Sequence, residues 1–288
     1  MTILEVLDAA SDYLSRHGVE SPRLNAEHLL AHVLEKARLD LYLEFDRPLS
    51  EAERAALRIQ VKNRAQGTPL QHLLGEVEFF GRPFTCDSRA LIPRPETERL
   101  VELLLQDLKA TPLPHTNAPS LLDVGTGTGV LALTLALELP EAQVTGMDRS
   151  EAALSLAKEN QERHQLNTPP IRVTFEKMDL TQALPAGPFD LILANLPYIP
   201  TDTLKNLSRE VQQDPSLALD GGADGLVLIH HLLERARNHL HPGGRLYLEI
   251  GHDQAPAVQH SLESHGYHSI MVRKDYQDIQ RYLNATYG

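Results

Sequence analysis

One cysteine, Cys86, stands in 288 residues, so the chain can form no internal disulfide and a reducing, cytoplasmic setting is expected. A lone cysteine with no histidine signature beside it reads as packing rather than as a nucleophile. No uncharged apolar run approaches the ~18 residues of a membrane span, so no membrane association is expected. The opening Met1-Thr2-Ile3-Leu4-Glu5 has no basic lead into an apolar stretch, so no secretory signal is expected. Positive charge is short as well: 27 Lys and Arg against 39 Asp and Glu give a net charge of −12. Phosphate backbones are held by clustered Lys and Arg, so direct nucleic-acid binding is not expected. What is present is a hydrophobic content of 42%, enough for a sizeable core in one large domain or two ordinary ones.

Residues 1 to about 70 read as helices. Ile3, Val6, Leu7, Ala10 and Leu14 recur at helical spacing, and Gly18 ends that helix. Ser21-Pro22 offers the next helix a cap and a first-turn proline, with Leu24, Ala26, Leu29, Leu30, Val33 and Leu34 as its buried face. Ser50-Glu51-Ala52-Glu53 has the pattern of a capping box before a third long helix, Ala55 to Ala65. Arg54, Arg58 and Lys62 at four-residue steps, with Arg64 beside them, read either as a partner-binding stripe or as a solvated face. His28 and His32 stand four apart on a helix, but no third ligand accompanies them and no metal is expected.

From Pro69 the character changes. Residues 75–84 read as a short hairpin, and Leu91-Ile92-Pro93-Arg94-Pro95-Glu96-Thr97-Glu98 as a stiff elbow feeding a helix to about Leu108. A proline-rich loop, Thr111 to Pro119, follows. Strands then alternate with helices: Ser120–Val124, a helix to Leu139, Gln143–Asp148, a helix to about His164, Ile171–Glu176 and Phe189–Ala194. A helix around Leu226–Leu240, strand Arg245–Ile250, helix Ala255–His265 and two closing strands near Tyr267–Arg273 and Ile279–Ala285 complete the chain. Repeated βα units predict an α/β domain with a mostly parallel sheet, and the closing pair predicts an antiparallel edge.

Two strand-to-loop junctions carry the chemistry, because ligands of open α/β sheets bind outside the carboxyl ends of the strands. The first is Asp123-Val124-Gly125-Thr126-Gly127-Thr128-Gly129, where glycines let backbone approach a ligand closely. Its Gly-x-Gly-x-Gly spacing differs from the Gly-x-Gly-x-x-Gly of dinucleotide binders, although a nicotinamide cofactor stays as a rival reading. Asp148 ends the next strand about 20 residues on, where a carboxylate can accept both ribose hydroxyls. Asp123 is placed to face a cofactor ammonium group, and Asp179 to accept from an adenine amino group with Leu180 against the ring. The loop and these acids resemble the class I S-adenosylmethionine-dependent methyltransferases, whose product is S-adenosylhomocysteine.

The second junction is Asn195-Leu196-Pro197-Tyr198, after the buried strand Phe189–Ala194. An amide nitrogen is a poor nucleophile, because its lone pair is conjugated. Acceptors for its two N–H bonds fix its orientation and favour charge building on nitrogen. The Asn195 side-chain oxygen and the Leu196 carbonyl are natural acceptors, with Pro197 shaping the turn and Tyr198 packing on the planar group.

Together with Thr68-Pro69-Leu70-Gln71-His72, Glu78-Phe79-Phe80-Gly81, the proline elbow, Asp220-Gly221-Gly222-Ala223-Asp224-Gly225-Leu226 and Glu249-Ile250-Gly251, these motifs resemble the HemK/PrmC family over nearly the whole chain. The resemblance implies a protein-(glutamine-N5) methyltransferase acting on the Gly-Gly-Gln motif of peptide chain release factors. It also implies a Rossmann-like sheet with an antiparallel edge, preceded by a small helical bundle. The expected division is 1–70 for substrate recognition, 71–96 for hairpin and linker, and 97–288 for the methyltransferase domain, in a monomer. Leu196 departs from the more frequent Asn-Pro-Pro-Tyr of that family. Asn-Leu-Pro-Tyr also occurs in adenine-N6 ribosomal RNA methyltransferases, and a ribosomal-protein glutamine methyltransferase shares both motifs, so these are the alternatives. A catalytically inert binding module is a third.

Overall fold

The structure is a computed structural model that describes residues 1–113, 118–170 and 172–288. Its compact units are Met1–Glu76 together with Ser208–Gln213, and Val77–Leu207 together with Asp214–Gly288.

The first unit is helical: α1 (Ile3–Arg16), α2 (Pro22–Val33), α3 (Asp40–Leu43), α4 (Glu51–Ala65) and α5 (Leu70–Leu74). The capping box expected at Ser50 forms: its hydroxyl accepts the Glu53 N–H at 3.3 Å, and Glu53 Oε2 accepts the Ser50 N–H at 2.7 Å. Thr2 and Glu5 make the same pair at the start of α1. Such caps contribute about 0.5–2 kcal/mol each, by satisfying backbone N–H groups that a helix leaves open. Ser21 does not cap α2. Its φ of +47° turns its side chain away from the helix N–H groups, and Pro22 in the first turn starts α2 without it. Ile3, Leu7 and Leu14 of α1 meet Leu29 and Leu30 of α2 and Leu57 and Val61 of α4 in one apolar core.

The basic stripe on α4 needs a correction. Arg54 and Arg58 turn toward Glu51, but Arg64 is buried, donates to Asn25 Oδ1 at 2.7 Å and to the Thr68 carbonyl, and pairs with Glu210. Position 64 lies two residues beyond 62, about 200° around a helix of 3.6 residues per turn, and so joins the Leu57–Val61 face.

A hairpin comes next, β1 (Glu76–Phe79) and β2 (Arg82–Thr85), turned by Phe80 and Gly81 at φ +53° and +71°. After α6 (Pro95–Ala110) come β3 (Ser120–Val124), α7 (Val130–Glu138), β4 (Gln143–Asp148), α8 (Glu151–Arg163), β5 (Val173–Lys177) and β6 (Phe189–Asn195). The remainder is α9 (Val227–Ala236), β7 (Leu240–Glu249), α10 (Ala255–Ser264), β8 (Tyr267–Lys274) and β9 (Gln280–Tyr287). Ile171, expected to begin a strand, and residues 114–117 of the proline-rich loop lie outside the described residues. The helix expected over Leu226–Leu240 stops at Ala236. Leu240 is already in strand, opposite Phe189, and the ladder shifts register before Leu191 pairs with Arg245.

The strand order is β5-β4-β3-β6-β7-β9-β8. The first five run parallel, and β9 is antiparallel to both β7 and β8. Alternation within strands sorts the side chains onto two cores. Leu122, Ile192, Leu246 and Leu283 face α9 and α10 on one side, while Leu121, Leu191, Tyr247 and Tyr282 face α6 and α7 on the other. The central strand β6 is apolar on both faces because both are covered.

One glycine fixes how the segment after β6 folds back. A Cβ on Gly225 (φ +77°) would stand 2.2 Å from the Tyr198 carbonyl oxygen, whereas one on Gly266 (φ +83°) would meet nothing within 4 Å. Both positions strain an alanine equally through φ, so the pair isolates the collision. Gly266→Ala is expected to lower unfolding free energy by about 1 kcal/mol, and Gly225→Ala by at least about 2 kcal/mol. Denaturant unfolding of the two variants checks this, and equal losses would show that the segment yields freely.

Candidate active site

β3 and β6 lie side by side with Val124 opposite Ala194, so the two junctions leave the sheet together. A Cβ on Gly125 would stand 3.2 Å from Leu196 Cδ2, at a φ of +77° that only glycine adopts cheaply. The N–H groups of Gly125 and Thr126 both donate to the Met147 carbonyl of β4 at 2.9 Å. Gly127 N–H donates to Asp148 Oδ2 at 3.0 Å, and Ser150 N–H to Asp148 Oδ1 at 2.8 Å. Buried Asn160 of α8 holds the far end of the loop. Its Nδ2 donates to the carbonyls of Thr128 and Thr85 while its Oδ1 accepts the Thr85 N–H.

Between these junctions lies a cavity of about 1040 Å³, counted with its open mouth. Gly125, Thr126, Gly127, Thr128, Asp148, Asp179, Leu180, Asn195, Leu196 and Pro197 all line it. Three expected residues do not. Gly129 (φ +82°) faces away from it: a Cβ there would stand 3.0 Å from Ala157 Cβ, so the glycine serves the packing of α7 on α8. Tyr198, expected against a planar substrate group, is not in the cavity wall; its ring lies over Gly251, where a Cβ would meet it at 3.4 Å. The next residue, Ile199, bridges to Asp220 in the segment before α9.

Asp123 is the third. It is fully buried beneath the loop, where its Oδ2 accepts the Thr126 hydroxyl at 2.6 Å and the Ala132 N–H at 3.2 Å. Its Oδ1 is buried without a partner, and burial pushes its carboxyl up to about 7 against the pull of those two donors. Cys86 is buried as well, and burial, with Asp214 and Asp87 near, pushes its thiol up to about 12, too high for a thiolate near neutral pH.

Several wall residues had no role assigned from the sequence: Arg89 before the elbow, Pro93 and Arg94 within it, and Pro215, Leu217 and Ala218 of the segment before α9 also line the cavity. The elbow is held by Asp214, whose buried carboxylate accepts the Ile92 N–H at 3.3 Å and Arg94 Nη2 at 2.7 Å. Thr97, also in the wall, accepts a hydrogen bond from Asn195 Nδ2 at 2.9 Å and donates to Glu249 Oε2 at 2.8 Å. Proximity of positions 97, 195 and 249 follows from the sheet and could not be read from their spacing.

The residues present fit the ribose and the adenine of a nucleoside. Asp148 spends one lone pair of each oxygen on a backbone N–H and keeps the others, while burial raises its pKa. Such a half-satisfied carboxylate suits two vicinal hydroxyl donors. Asp179 keeps an acceptor beside apolar Leu180 and Met178, and hydrogen bonds from Thr181 hold its carboxyl below the usual range.

The raised Asp123 carboxyl has a consequence for stability. A folded pKa near 7 against an unfolded one near ~3.9 means that stability is full at low pH and declines as pH rises through about 7. Asp123→Asn cannot ionise, so relative to wild type it should gain stability between about pH 5 and about pH 8. Thermal unfolding at both pH values checks this; a difference that shrinks with rising pH would contradict it.

Residues 5–75 match the model of the PrmC N-terminal domain, and residues 115–283 that of a methyltransferase domain. The chain is 41% identical to the release factor glutamine methyltransferase of Geobacter sulfurreducens, covering 100% of this chain and 97% of that protein. Identity to the protein of the same name from Chlorobaculum tepidum is 39%, over 99% of this chain and 97% of that one. In fold it also matches the T. Thermophilus 16S rRNA N2 G1207 methyltransferase in complex with AdoMet and guanosine. The TM-score is 0.51 at 19% identity, over 74% of this chain and 50% of that one. With such identity along its entire length, and two family models in the matching order, the chain belongs to the release factor glutamine methyltransferase family.

Proposed function

We propose that this family member methylates the side-chain amide nitrogen of the glutamine in the Gly-Gly-Gln motif of peptide chain release factors, giving N5-methylglutamine. The observation that carries the reading is Asn195 in the cavity wall beside the glycine loop, its amide nitrogen spent on Thr97 and its Oδ1 left to accept. When bound, S-adenosylmethionine supplies an electrophilic methyl group on a sulfonium, and S-adenosylhomocysteine is what remains. Asp148 accepts the ribose hydroxyls, Asp179 the adenine amino group, and Leu180 packs on the ring. Gly125 to Thr128 let backbone lie close to the rest of the cofactor.

Asn195 Oδ1 and the Leu196 carbonyl accept the two N–H bonds of the glutamine amide and hold its nitrogen toward the methyl group. Transfer of that methyl group would form the N–C bond as the S–C bond breaks, and the amide would lose one proton to water. Both acceptors stabilise positive charge on nitrogen, which is the electrostatic help this reaction needs. Leucine at 196 keeps the backbone carbonyl that the motif requires. The helical unit holds the release factor, since a protein that delivers one glutamine must dock most of its surface elsewhere. The enzyme acts as a cytoplasmic monomer, and its net charge of −12 favours a protein over a nucleic-acid substrate.

Incubation with labelled S-adenosylmethionine, release factor and ribosomes, followed by mass spectrometry, tests the reading. Label is expected on the Gly-Gly-Gln glutamine; label on a ribosomal protein or on ribosomal RNA adenine would overturn it. Asp148→Ala should weaken S-adenosylmethionine about tenfold to a hundredfold by calorimetry, the loss of charge-assisted hydrogen bonds. Asn195→Ala should slow single-turnover methylation by about 10²–10³ while cofactor affinity changes little, and wild-type turnover in that variant would remove Asn195 from the chemistry.

A further inference from the structure

An asparagine amide can present either its oxygen or its nitrogen to a ligand, and the two ends have nearly the same shape. Presenting nitrogen to a glutamine amide would set donor against donor. Something must therefore decide which end of Asn195 faces the cavity.

Three elements converge behind Asn195. It ends β6; Glu249 ends β7 directly opposite it in the parallel ladder; Thr97 sits in the first turn of α6. Thr97 is 3% exposed and Glu249 2%. The hydrogen bonds between them have one direction. Glu249 as a carboxylate only accepts, so the Thr97 hydroxyl spends its single proton on Glu249 Oε2, at 2.8 Å. The Thr97 oxygen can then only accept, and it takes an N–H from Asn195 Nδ2 at 2.9 Å. That bond selects the nitrogen end of Asn195 for the interior and leaves Oδ1 for the cavity, and the Asn195 amide also favours the charged form of the Glu249 carboxylate.

We propose that Thr97 and Glu249 are positioning residues for the methyl transfer: Glu249 polarises the Thr97 hydroxyl, and the two hold the Asn195 side chain with its oxygen toward the glutamine amide. The inference rests on the function proposed above, and it adds an origin for the acceptor that function requires. An apolar residue at 97 would leave Asn195 free to flip, and in a low-dielectric site a flipped amide costs both a lost acceptor and a misplaced donor.

The environment of Glu249 makes the arrangement sensitive to pH. Burial pushes its carboxyl up to about 7, against the pull of the Thr97 hydroxyl, of Arg281 and of Asn195, with Glu96 adding repulsion. Thr97 and Glu96 face it from α6, Asn195 from β6, Arg281 and Tyr282 from β9, and Tyr198 from the loop after β6. Protonated Glu249 becomes a donor, and the direction of the chain is then no longer imposed.

The test compares Thr97→Val, which keeps the shape and loses the hydroxyl, with Thr97→Ser, which keeps the hydroxyl. Thr97→Val should slow single-turnover methylation about 10–100-fold while S-adenosylmethionine affinity changes little and the melting temperature falls by only a few degrees, and Thr97→Ser should stay near wild type. In an Asn195→Ala background Thr97→Val should cause no further loss, because it acts through Asn195. The wild-type rate should fall as pH drops through about 7, and Glu249→Gln should remove that limb. A wild-type rate in Thr97→Val, or an additive loss in the double variant, would overturn the proposal; persistence of the limb in Glu249→Gln would overturn the part assigned to Glu249. If wild-type protein methylates no release factor, the functional reading fails instead. Positioning is then read directly from the Asn195 side-chain amide protons in asparagine-labelled protein. Their exchange with solvent should quicken about tenfold or more in Thr97→Val, and unchanged exchange would overturn the proposal on its own.

Discussion

The parallel pairing of β3 with β6 is the contact on which the second unit turns. From β3 the chain winds outward through β4 to β5, then returns to lay β6 on the other side of β3. Such a reversal opens a crevice at the carboxyl ends of the two central strands, with no helix closing it. The register, Leu121 on Leu191 through Val124 on Ala194, brings the first glycine and the asparagine out of the sheet side by side. A slip of one residue would send Leu122 and Ile192 to the wrong core and separate the two junctions, so packing on both faces holds the site in register.

Buried polar groups do the local fastening. Asp123 lies under the glycine loop, Asn160 ties its end to the hairpin, Asp214 clasps the elbow, and Glu249 stands behind Asn195. Each sits where backbone irregularity needs donors or acceptors that a strand or helix would otherwise supply. In a medium that solvates ions poorly these bonds are strong and directional, and ionisation is disfavoured, as the raised Asp123 and Glu249 carboxyls show. The same carboxylates that shape the loops therefore cost stability when ionised.

Periodicity and punctuation made most of the architecture legible. Strand Ser120–Val124 and strand Gln143–Asp148 were readable in full, because apolar runs bounded by glycine and charge have few other solutions. The glycine loop, Asp148 and Asn195 could be expected to meet because motifs at strand ends converge once the sheet is parallel, and all of them except Gly129 line one cavity. What spacing could not reveal is where a side chain turns after its element ends. Gly129 looked like its neighbours yet serves helix packing, and the Tyr198 ring packs over Gly251 rather than in the cavity wall. Arg64 reads as one more surface cation, but a two-residue step places it inward beside Asn25. Thr97 and Glu249 are separated from Asn195 by 98 and 54 positions, and only the folded sheet and the helix α6 bring them together.

The central claim is that the cavity between the glycine loop and Asn195 presents two oxygen acceptors to one planar amide. A crystal structure of the protein with S-adenosylhomocysteine and a Gly-Gly-Gln peptide measures this directly. The account predicts the glutamine amide nitrogen within about 2.7–3.2 Å of both Asn195 Oδ1 and the Leu196 carbonyl oxygen, on the side facing the cofactor sulfur. A glutamine bound elsewhere, or facing Asn195 through the asparagine nitrogen, would contradict it.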